Sequence, residues 1–314
     1  MEKNCKDNQI KNPISKRCVN KFGRIGKKLM IANENINIKW ENNSCYSDSL
    51  LISLFHNKDL FIEKELLNAP LIKYHKDDLD ELALKIKNEL KKIYEIISMR
   101  KNDMKTCANL RKLLSDFYKK LVKYYPNKKI VEDNDNWMRS QLDVFDFYNL
   151  LDKIFDMKKS LIFKEGSNKN STDFSYMIPI DLLINKRKVF IKKIIPTYNL
   201  INNKIKKEIT VLKGNKLFLK IFRNLGDYKL ETMIIPPKIL KLPKNSFNLH
   251  LTSIIIHYGS FQAGHYICLY NLNGSGMWFE YDDLKNKSVY IGNLSKIIKD
   301  ENYISNIVGL IYSK

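Results

Sequence analysis

The stretch LHLTSIIIHYGSFQAGHYICLYNLNGSGMWFEYDD, residues 249–283, decides the fold class of this chain. Its apolar, β-branched and aromatic runs alternate with segments that contain Gly, Asn and Ser, which is the pattern of strands joined by hairpin turns. His265 follows a glycine in the second run, and Asp282 and Asp283 end the third. Since neighbouring strands place side chains beside each other, a histidine and a carboxylate are expected to meet here.

The sequence before this stretch divides into a helical part and a strand-rich part. Apolar residues recur at helical spacing after Ser44 and through DDLDELALKIKNELKKIYEIISM, where Asp77 is the expected cap. The same spacing predicts two further helices, over about 109–123 and 140–157. From about residue 161, short β-branched segments bounded by Pro, Gly and Asn predict strands. Helices followed by strands predict an α+β protein whose helical lobe packs beside an antiparallel sheet.

The chain of 314 residues is strongly basic, with a formal net charge of +21. Residues 1–40 hold ten Lys and Arg against three acids, and we expect residues 1–38 to be a poorly ordered basic extension. Residues 186–220 are also basic. Such patches can attract nucleic acid or a particle surface. A Lys-rich composition that reflects AT-rich coding is the favoured explanation, because the Gly and aromatic interleaving of nucleic-acid modules is missing.

Cysteine usage and hydropathy indicate the compartment. The five cysteines include no CxxC pair, so we expect free thiols, a reducing compartment, no structural zinc and no cofactor. The N-terminus lacks the apolar stretch of a signal peptide, and no run approaches the roughly 18 apolar residues of a membrane span. A soluble intracellular protein without membrane attachment is therefore predicted.

Cys45 lies in NNSCYSDSLLISLF, residues 42–55, at the start of a helical pattern. Unpaired N–H groups and the helix dipole favour a thiolate at that position. A thiolate needs a base and a group that orients the base, and His265 and Asp282 are the candidates. A free cysteine in a helix is commonly a packing residue, so Cys45 alone does not decide between a nucleophile and a core residue.

Taken together, these segments resemble the ubiquitin-specific proteases. The cysteine segment is similar to the cysteine box of that family, and most similar to the cylindromatosis-type branch, whose box also has N-S-C-Y-x-D-S. SQLDVFDFYNLLDKIF resembles the Q-x-D-x-x-E-F-x-x-x-L-L box. Further family segments have counterparts here in the same order: KLFLKIFRN, YKLETMIIPPKIL, the stretch quoted first and the closing NIVGLIYSK.

The resemblance implies a papain-like fold with a helical thumb at about 39–160, and fingers and an antiparallel-sheet palm at about 161–314. It implies a deubiquitinase that hydrolyses the bond after the C-terminal glycine of ubiquitin, with Cys45 as nucleophile, His265 as base and Asp282 as the orienting acid. Asp283 is expected to assist. Substrate contacts are carried over to the residues that match family positions: Gln141, Asp143, Asp146 and Tyr266.

Two departures from the family pattern are visible. Trp40 stands where the family has an oxyanion asparagine, so Asn42 and Asn43 are the candidate replacements. The finger cysteines are missing, which predicts short, metal-free fingers. The alternatives are a catalytically weak or inactive ubiquitin-binding scaffold, and a basic protein on the same fold that associates with nucleic acid or particles. The AT-rich composition suggests a virus, with the protein in the host cytoplasm or packaged in particles.

Overall fold

The computed structural model describes most of the chain, with gaps that are most frequent between residues 158 and 206. The described residues are 5–34, 36, 38–57, 66–100, 105–130, 142–157, 161–165, 169–171, 177–181, 187–191, 198–199, 206–212, 215–225, 228–241, 247–260, 263–285 and 287–314.

The N-terminal segment is folded, which corrects the expectation of a poorly ordered extension for residues 5–34. Strands β1 (Gln9–Lys11) and β2 (Cys18–Asn20) form an antiparallel hairpin, and helix α1 (Arg24–Asn33) follows. A disulfide joins Cys5 to Cys18, so the expectation that all five cysteines are free thiols is wrong. The disulfide links the segment before β1 to the first residue of β2, and the spacing of the two cysteines in the sequence did not indicate it.

Four longer helices follow the short strand β3 (Ile38–Lys39). They are α2 (Cys45–Phe55), α3 (Asp77–Met99), α4 (Ala108–Tyr124), which follows the short strand β4 (Lys105–Thr106), and α5 (Val144–Ile154). All 11 residues of α2 are buried, because this mainly apolar helix lies at the centre and contacts both the sheet and the other helices.

Helix α3 confirms the periodicity seen in the sequence. Its buried stripe includes Leu79, Ile86, Leu90 and Ile97, while the opposite face is charged. The expected cap is wrong by one residue, since Lys76 is the N-cap residue and Asp77 is the first residue of the helix. Asp77 still contributes a negative charge to the positive end of the helix dipole.

The described residues after α5 are mostly in strands. Their bounds are β5 (Leu161–Glu165), β6 (Lys169–Ser171), β7 (Met177–Asp181), β8 (Lys188–Phe190), β9 (Tyr198–Asn199), β10 (Lys206–Leu212), β11 (Lys216–Phe222), β12 (Asn224–Leu225), β13 (Tyr228–Lys229), β14 (Met233–Ile235), β15 (Ile239–Lys241), β16 (Asn248–Gly259), β17 (Gly264–Asn271), β18 (Trp278–Asp282), β19 (Lys287–Gly292) and β20 (Ile307–Ser313). Two short helices, α6 (Leu294–Ile297) and α7 (Glu301–Ile304), precede β20.

The main sheet has eight strands in the order β19-β18-β17-β16-β20-β11-β7, with β15 also paired to β16. Its pairings are antiparallel except that of β7 with β11, so the expectation of a wholly antiparallel sheet is corrected. Strands β5, β6, β9 and β10 form a separate four-stranded sheet in the region expected to be the fingers. The described helices include none that is long and apolar enough to cross a membrane.

The main sheet is covered on both faces. One face carries Tyr266, Cys268 and Tyr270 and packs in the larger core with helices α2 to α5. The other carries Ile267 and Leu269 and packs in a smaller core with residues of α6 and α7. Because successive residues of β17 point to opposite faces, Tyr266 faces the larger core that contains α2, whereas the neighbouring His265 lines a pocket together with Ile267.

Candidate active site

The Cys45 thiol lies at the N-terminus of α2, as predicted, and the residue is only 3% exposed. Burial raises the pKa of this thiol, and the negative charge of Asp48 adds to the rise. The backbone N–H groups of Tyr266, Tyr46 and Cys45 point to the sulfur and oppose that rise. The Tyr266 contact joins the nucleophile candidate to the strand that carries His265.

The polar side chains of α2 hold the turn before Cys45. The hydroxyl of Ser44 accepts a hydrogen bond from the Glu41 N–H at 2.9 Å and donates one to Asp48 Oδ2 at 2.5 Å. The Ser47 hydroxyl donates to the Ser44 carbonyl at 2.8 Å. These hydrogen bonds hold the turn that precedes α2, and they therefore fix the position of Cys45 in the first turn of the helix.

Asn42 and Asn43 form the outer part of the same turn. Both have left-handed backbone, with φ of 48° and 61°, and both are exposed. Asparagine tolerates this conformation better than most residues do, which explains the pair at this point. The guanidinium of buried Arg111, on α4, donates to the carbonyl of Asn42 at 2.8 Å and to that of Glu41.

His265 and Asp282 meet as the strand pattern predicted. His265 Nε2 lies 2.8 Å from Asp282 Oδ1, and the imidazole is 23% exposed. Asp282 Oδ1 also accepts the Leu284 N–H at 3.1 Å, and Oδ2 lies 3.1 Å from Lys285 Nζ. Burial alone would raise the pKa of Asp282, but the hydrogen bonds from His265 and Lys285 outweigh it and lower the pKa to about 2. Asp282 is therefore an ionised, well-held partner for the imidazole.

One group among the described residues has the spacing of a metal site. Atoms of His265, Asp282 and Asp283 lie within 4.8 Å of one another. The 2.8 Å separation of His265 Nε2 and Asp282 Oδ1 is a hydrogen-bond distance, and it is shorter than the roughly 3.3 Å that separates two ligands in a tetrahedral zinc site with bonds of about 2.0 Å. The Lys285 cation on Asp282 would also repel a metal ion. We interpret the group as a hydrogen-bonded pair with a second acid behind it.

Asp283 lies behind that pair. The residue is 2% exposed, and its Oδ1 is 3.6 Å from His265 Nε2. Cys45 and Asp48 are both close enough to affect its titration. The structure therefore places Asp283 between the turn that carries Cys45 and the strand end that carries Asp282.

Asp143 and Asp146 are three residues apart, which predicts a shared helix face, but Asp143 lies outside the helix. Helix α5 begins at Val144, so Asp143 is its N-cap, and its side chain accepts the Phe145 N–H at 2.7 Å. Lys220 Nζ lies 3.5 Å from the same carboxylate oxygen. One oxygen of Asp143 thus already has two partners. Gln141 lies outside the described residues.

Asp146 and Tyr266 lie together beside the start of α5. Burial raises the pKa of Asp146 to about 6, and the nearby charge of Asp143 contributes. The Tyr266 ring stacks on His257 with centroids 4.4 Å apart. Its hydroxyl is close to the Val144 N–H and to both acids. Tyr266 is buried and Asp146 is half-buried, and Tyr266 lies near both Cys45 and Asp146.

The comparison with protein families accounts for this arrangement. The profile described as ubiquitin carboxyl-terminal hydrolase matches residues 36–304. The chain belongs to the ubiquitin carboxyl-terminal hydrolase family. A search of curated proteins finds no match. Membership implies a ubiquitinyl hydrolase of the cysteine-peptidase class that binds ubiquitin, and the helical first part with its largely antiparallel sheet is consistent with the fold of that family.

Several residues of this candidate site were missed by sequence reasoning. They are Asp48, Cys107, Arg111, Gly264 and Lys285. Asp48 had a usable signal, because a residue three positions after Cys45 returns to the same side of a helix. Arg111, in α4, and Cys107, its N-cap residue, had none, since only tertiary packing brings them to the turn that carries Cys45.

Gly264 is required by the close approach of β16 to β17. A Cβ on this residue would lie 2.1 Å from the Tyr258 carbonyl oxygen and 2.4 Å from His257 Nε2. We expect Gly264→Ala to move the start of β17, and His265 with it, and to lower kcat/KM on a ubiquitin substrate by about 100-fold. Gly23→Ala is the control, because the nearest atom to its Cβ is 3.4 Å away. Equal activities of the two variants would contradict the expectation.

Proposed function

We propose that the chain is a thiol-dependent deubiquitinase in which Cys45, His265 and Asp282 act as nucleophile, base and orienting acid. The observation that carries the proposal is the 2.8 Å contact of His265 Nε2 with Asp282. The N–H group of the next residue in β17, Tyr266, points to the Cys45 sulfur. With Nε2 held by Asp282, Nδ1 is the imidazole nitrogen left to exchange a proton with the thiol.

The reaction follows from this assignment. His265 takes the proton of Cys45, and the sulfur attacks the carbonyl carbon of the last ubiquitin glycine. When the tetrahedral adduct collapses, the C–N bond breaks and His265 returns the proton to the leaving amine. Water then attacks the thioester, His265 accepts one of its protons, and Cys45 leaves as a thiolate that the same proton reprotonates. Asp282 stabilises the imidazolium throughout.

The oxyanion is proposed to bind at the N-terminus of α2. The N–H groups of Cys45 and Tyr46 already point to the sulfur and lie where a developing negative charge would be stabilised. The exposed turn with Asn42 and Asn43 is the second candidate source of a donor. Trp40, at the position of the family asparagine, is 37% exposed and has no amide to offer.

The finer assignments remain proposals of the same kind. We propose a papain-like arrangement in which α2 to α5 form the thumb, the eight-stranded sheet the palm, and the separate sheet of β5, β6, β9 and β10 a reduced finger. The catalytic domain would span about residues 39–314, with residues 5–34 as a segment packed against it. The acid three positions after Cys45 supports the likeness of this cysteine box to that of the cylindromatosis-type branch.

The test is incubation with ubiquitin that carries a C-terminal electrophile, in parallel with the same probes made from ubiquitin-like modifiers. We expect one stable thioether adduct with ubiquitin, and release of a fluorophore from a ubiquitin C-terminal amide. A folded protein that forms no adduct with any of these probes would overturn the proposed activity, although it would leave a non-catalytic ubiquitin-binding role to be measured by titration.

Asp146 predicts a pH dependence of ubiquitin binding. The ubiquitin tail is basic, so Asp146 binds it best when ionised, and the pKa of about 6 places that ionisation between pH 5 and 7. We expect the affinity of a Cys45→Ala protein for ubiquitin to rise by about tenfold from pH 5 to pH 7.5. A rise of this size corresponds to the free energy that one charge-assisted hydrogen bond contributes. Asp146→Asn should remove this rise. Asp156→Asn, at an exposed position, is the control, and should keep it.

A further inference from the structure

Two carboxyl groups meet inside the protein beside the proposed active site. Asp48, on α2, is 1% exposed, and Asp283, after β18, is 2% exposed. Their side chains approach as hydrogen-bond partners. Two ionised carboxylates have only acceptor oxygens, so such a contact requires a proton on one of them.

The partners of the two acids are unequal. Asp48 accepts a hydrogen bond from Ser44 at 2.5 Å, and the Cys107 thiol lies against it. Neither oxygen of Asp283 has a donor within the described part of the chain. A buried carboxylate without donors is strongly destabilised, whereas a protonated Asp283 can donate to the well-satisfied Asp48.

The charged and titratable groups around the pair support one net negative charge. Facing it are Cys45 and Tyr46 from α2, Cys107 and Arg111 from α4, His265 from β17 and Tyr281 from β18. Arg111 is the permanent cation of this set, and it also serves the carbonyls of Glu41 and Asn42. Burial raises the pKa of Asp283, and the charge of Asp48 raises it further.

We propose that Asp48 and Asp283 share one proton, and that this hydrogen bond is a positioning contact that ties the Cys45 turn to the strand end holding His265. Asp48 is linked through Ser44 to the turn at the head of α2, while Asp283 is adjacent to the carboxylate that holds the imidazole. The contact keeps nucleophile and base in register across two elements that are more than 200 residues apart in sequence. When the shared proton is lost, two buried charges repel each other and the tie is broken.

Infrared spectroscopy in D2O near pD 8 tests the shared proton directly. We expect wild type to show the C=O stretch of a protonated carboxyl group, and we expect that band to be lost in both Asp48→Asn and Asp283→Asn, because each leaves one carboxylate that accepts from the new amide. Asp78→Asn is the control, since Asp78 is a partly exposed partner of Lys120 and should keep the band. Absence of the band in wild type, or its persistence in both single variants, would overturn the proposal.

Kinetics test the positioning role, and this arm rests on the proposed deubiquitinase activity. Asp48→Ala leaves Asp283 without a partner, whereas Asp48→Asn supplies a donor, so we expect the alanine variant to lose at least tenfold more kcat/KM at pH 7.5. The kcat/KM of wild type should also fall at alkaline pH, whereas that of Asp48→Asn should not. Equal losses in the two variants with no change in the alkaline limb would reject the positioning role. Complete absence of turnover in wild type would instead reject the proposed function, and the infrared band would still decide the shared proton.

Discussion

Cys45→Ala abolishes turnover of a ubiquitin C-terminal amide, with an expected loss in kcat/KM of at least 10⁴-fold. The size follows from the mechanism, since no other group at the head of α2 can form the thioester intermediate. Binding of ubiquitin should persist, because the thiol contributes little contact area. The measurement combines initial rates on the fluorogenic substrate with a titration of labelled ubiquitin.

Cys268→Ala is the matched control for that variant. Cys268 is also a buried free thiol, but it lies in the middle of β17, where burial alone raises its pKa. Its loss should cost some stability as a small cavity and should leave covalent labelling by the ubiquitin electrophile intact. Labelling that persists in Cys45→Ala and disappears in Cys268→Ala would show that the nucleophile has been assigned to the wrong cysteine.

His265→Ala is expected to have the second large effect, a fall in kcat of about 10⁴-fold. Burial raises the pKa of the Cys45 thiol, so without an imidazole to accept its proton the sulfur stays protonated at neutral pH. Alkylation of Cys45 by iodoacetamide should therefore slow, and its pH profile should move to higher pH. Both the rate and the midpoint can be followed by mass spectrometry of the Cys45 peptide.

His250→Ala is the control for the histidine, because His250 is exposed on β16 and pairs across the sheet with Ile239 and Ser313. The kcat of Asp282→Asn should lie between those of His265→Ala and His250→Ala, since an amide can hold the ring but cannot stabilise the imidazolium. A His265→Ala protein that alkylates with the wild-type pH profile would mean that this imidazole does not exchange protons with the thiol.

Much of the local structure was predictable because it depends on short-range periodicity. The buried stripe of α3, the bounds of α4 to within a residue at either end, and strands β16 to β18 with their turn all follow from spacings of 3.6 or 2 residues. Strand β19 was missed because its sequence KSVYIG is short and its residues are exposed or half-buried at the sheet edge. The start of α5 was placed too early because Asp143 caps the helix from outside it.

Contacts between segments that are distant in the sequence were harder to predict. The parallel contact of β7 with β11 and the Cys5–Cys18 disulfide depend on which strands become neighbours, and no local pattern specifies that choice. The site was predicted partly through family resemblance. The strand pattern proposed His265 beside a carboxylate, yet two adjacent acids fitted that pattern equally well.

The sequence by itself determined the helices, most of the strands and, through its ordered motifs, the family. Tertiary structure alone decided that Asp283 turns inward to face Asp48, while Asp282, the acid that the family resemblance favoured, holds the imidazole. The physical reason is that a side chain's partners and its protonation state depend on burial and on charges from other elements, here α2, α4 and β17, which the chain brings together only when it folds.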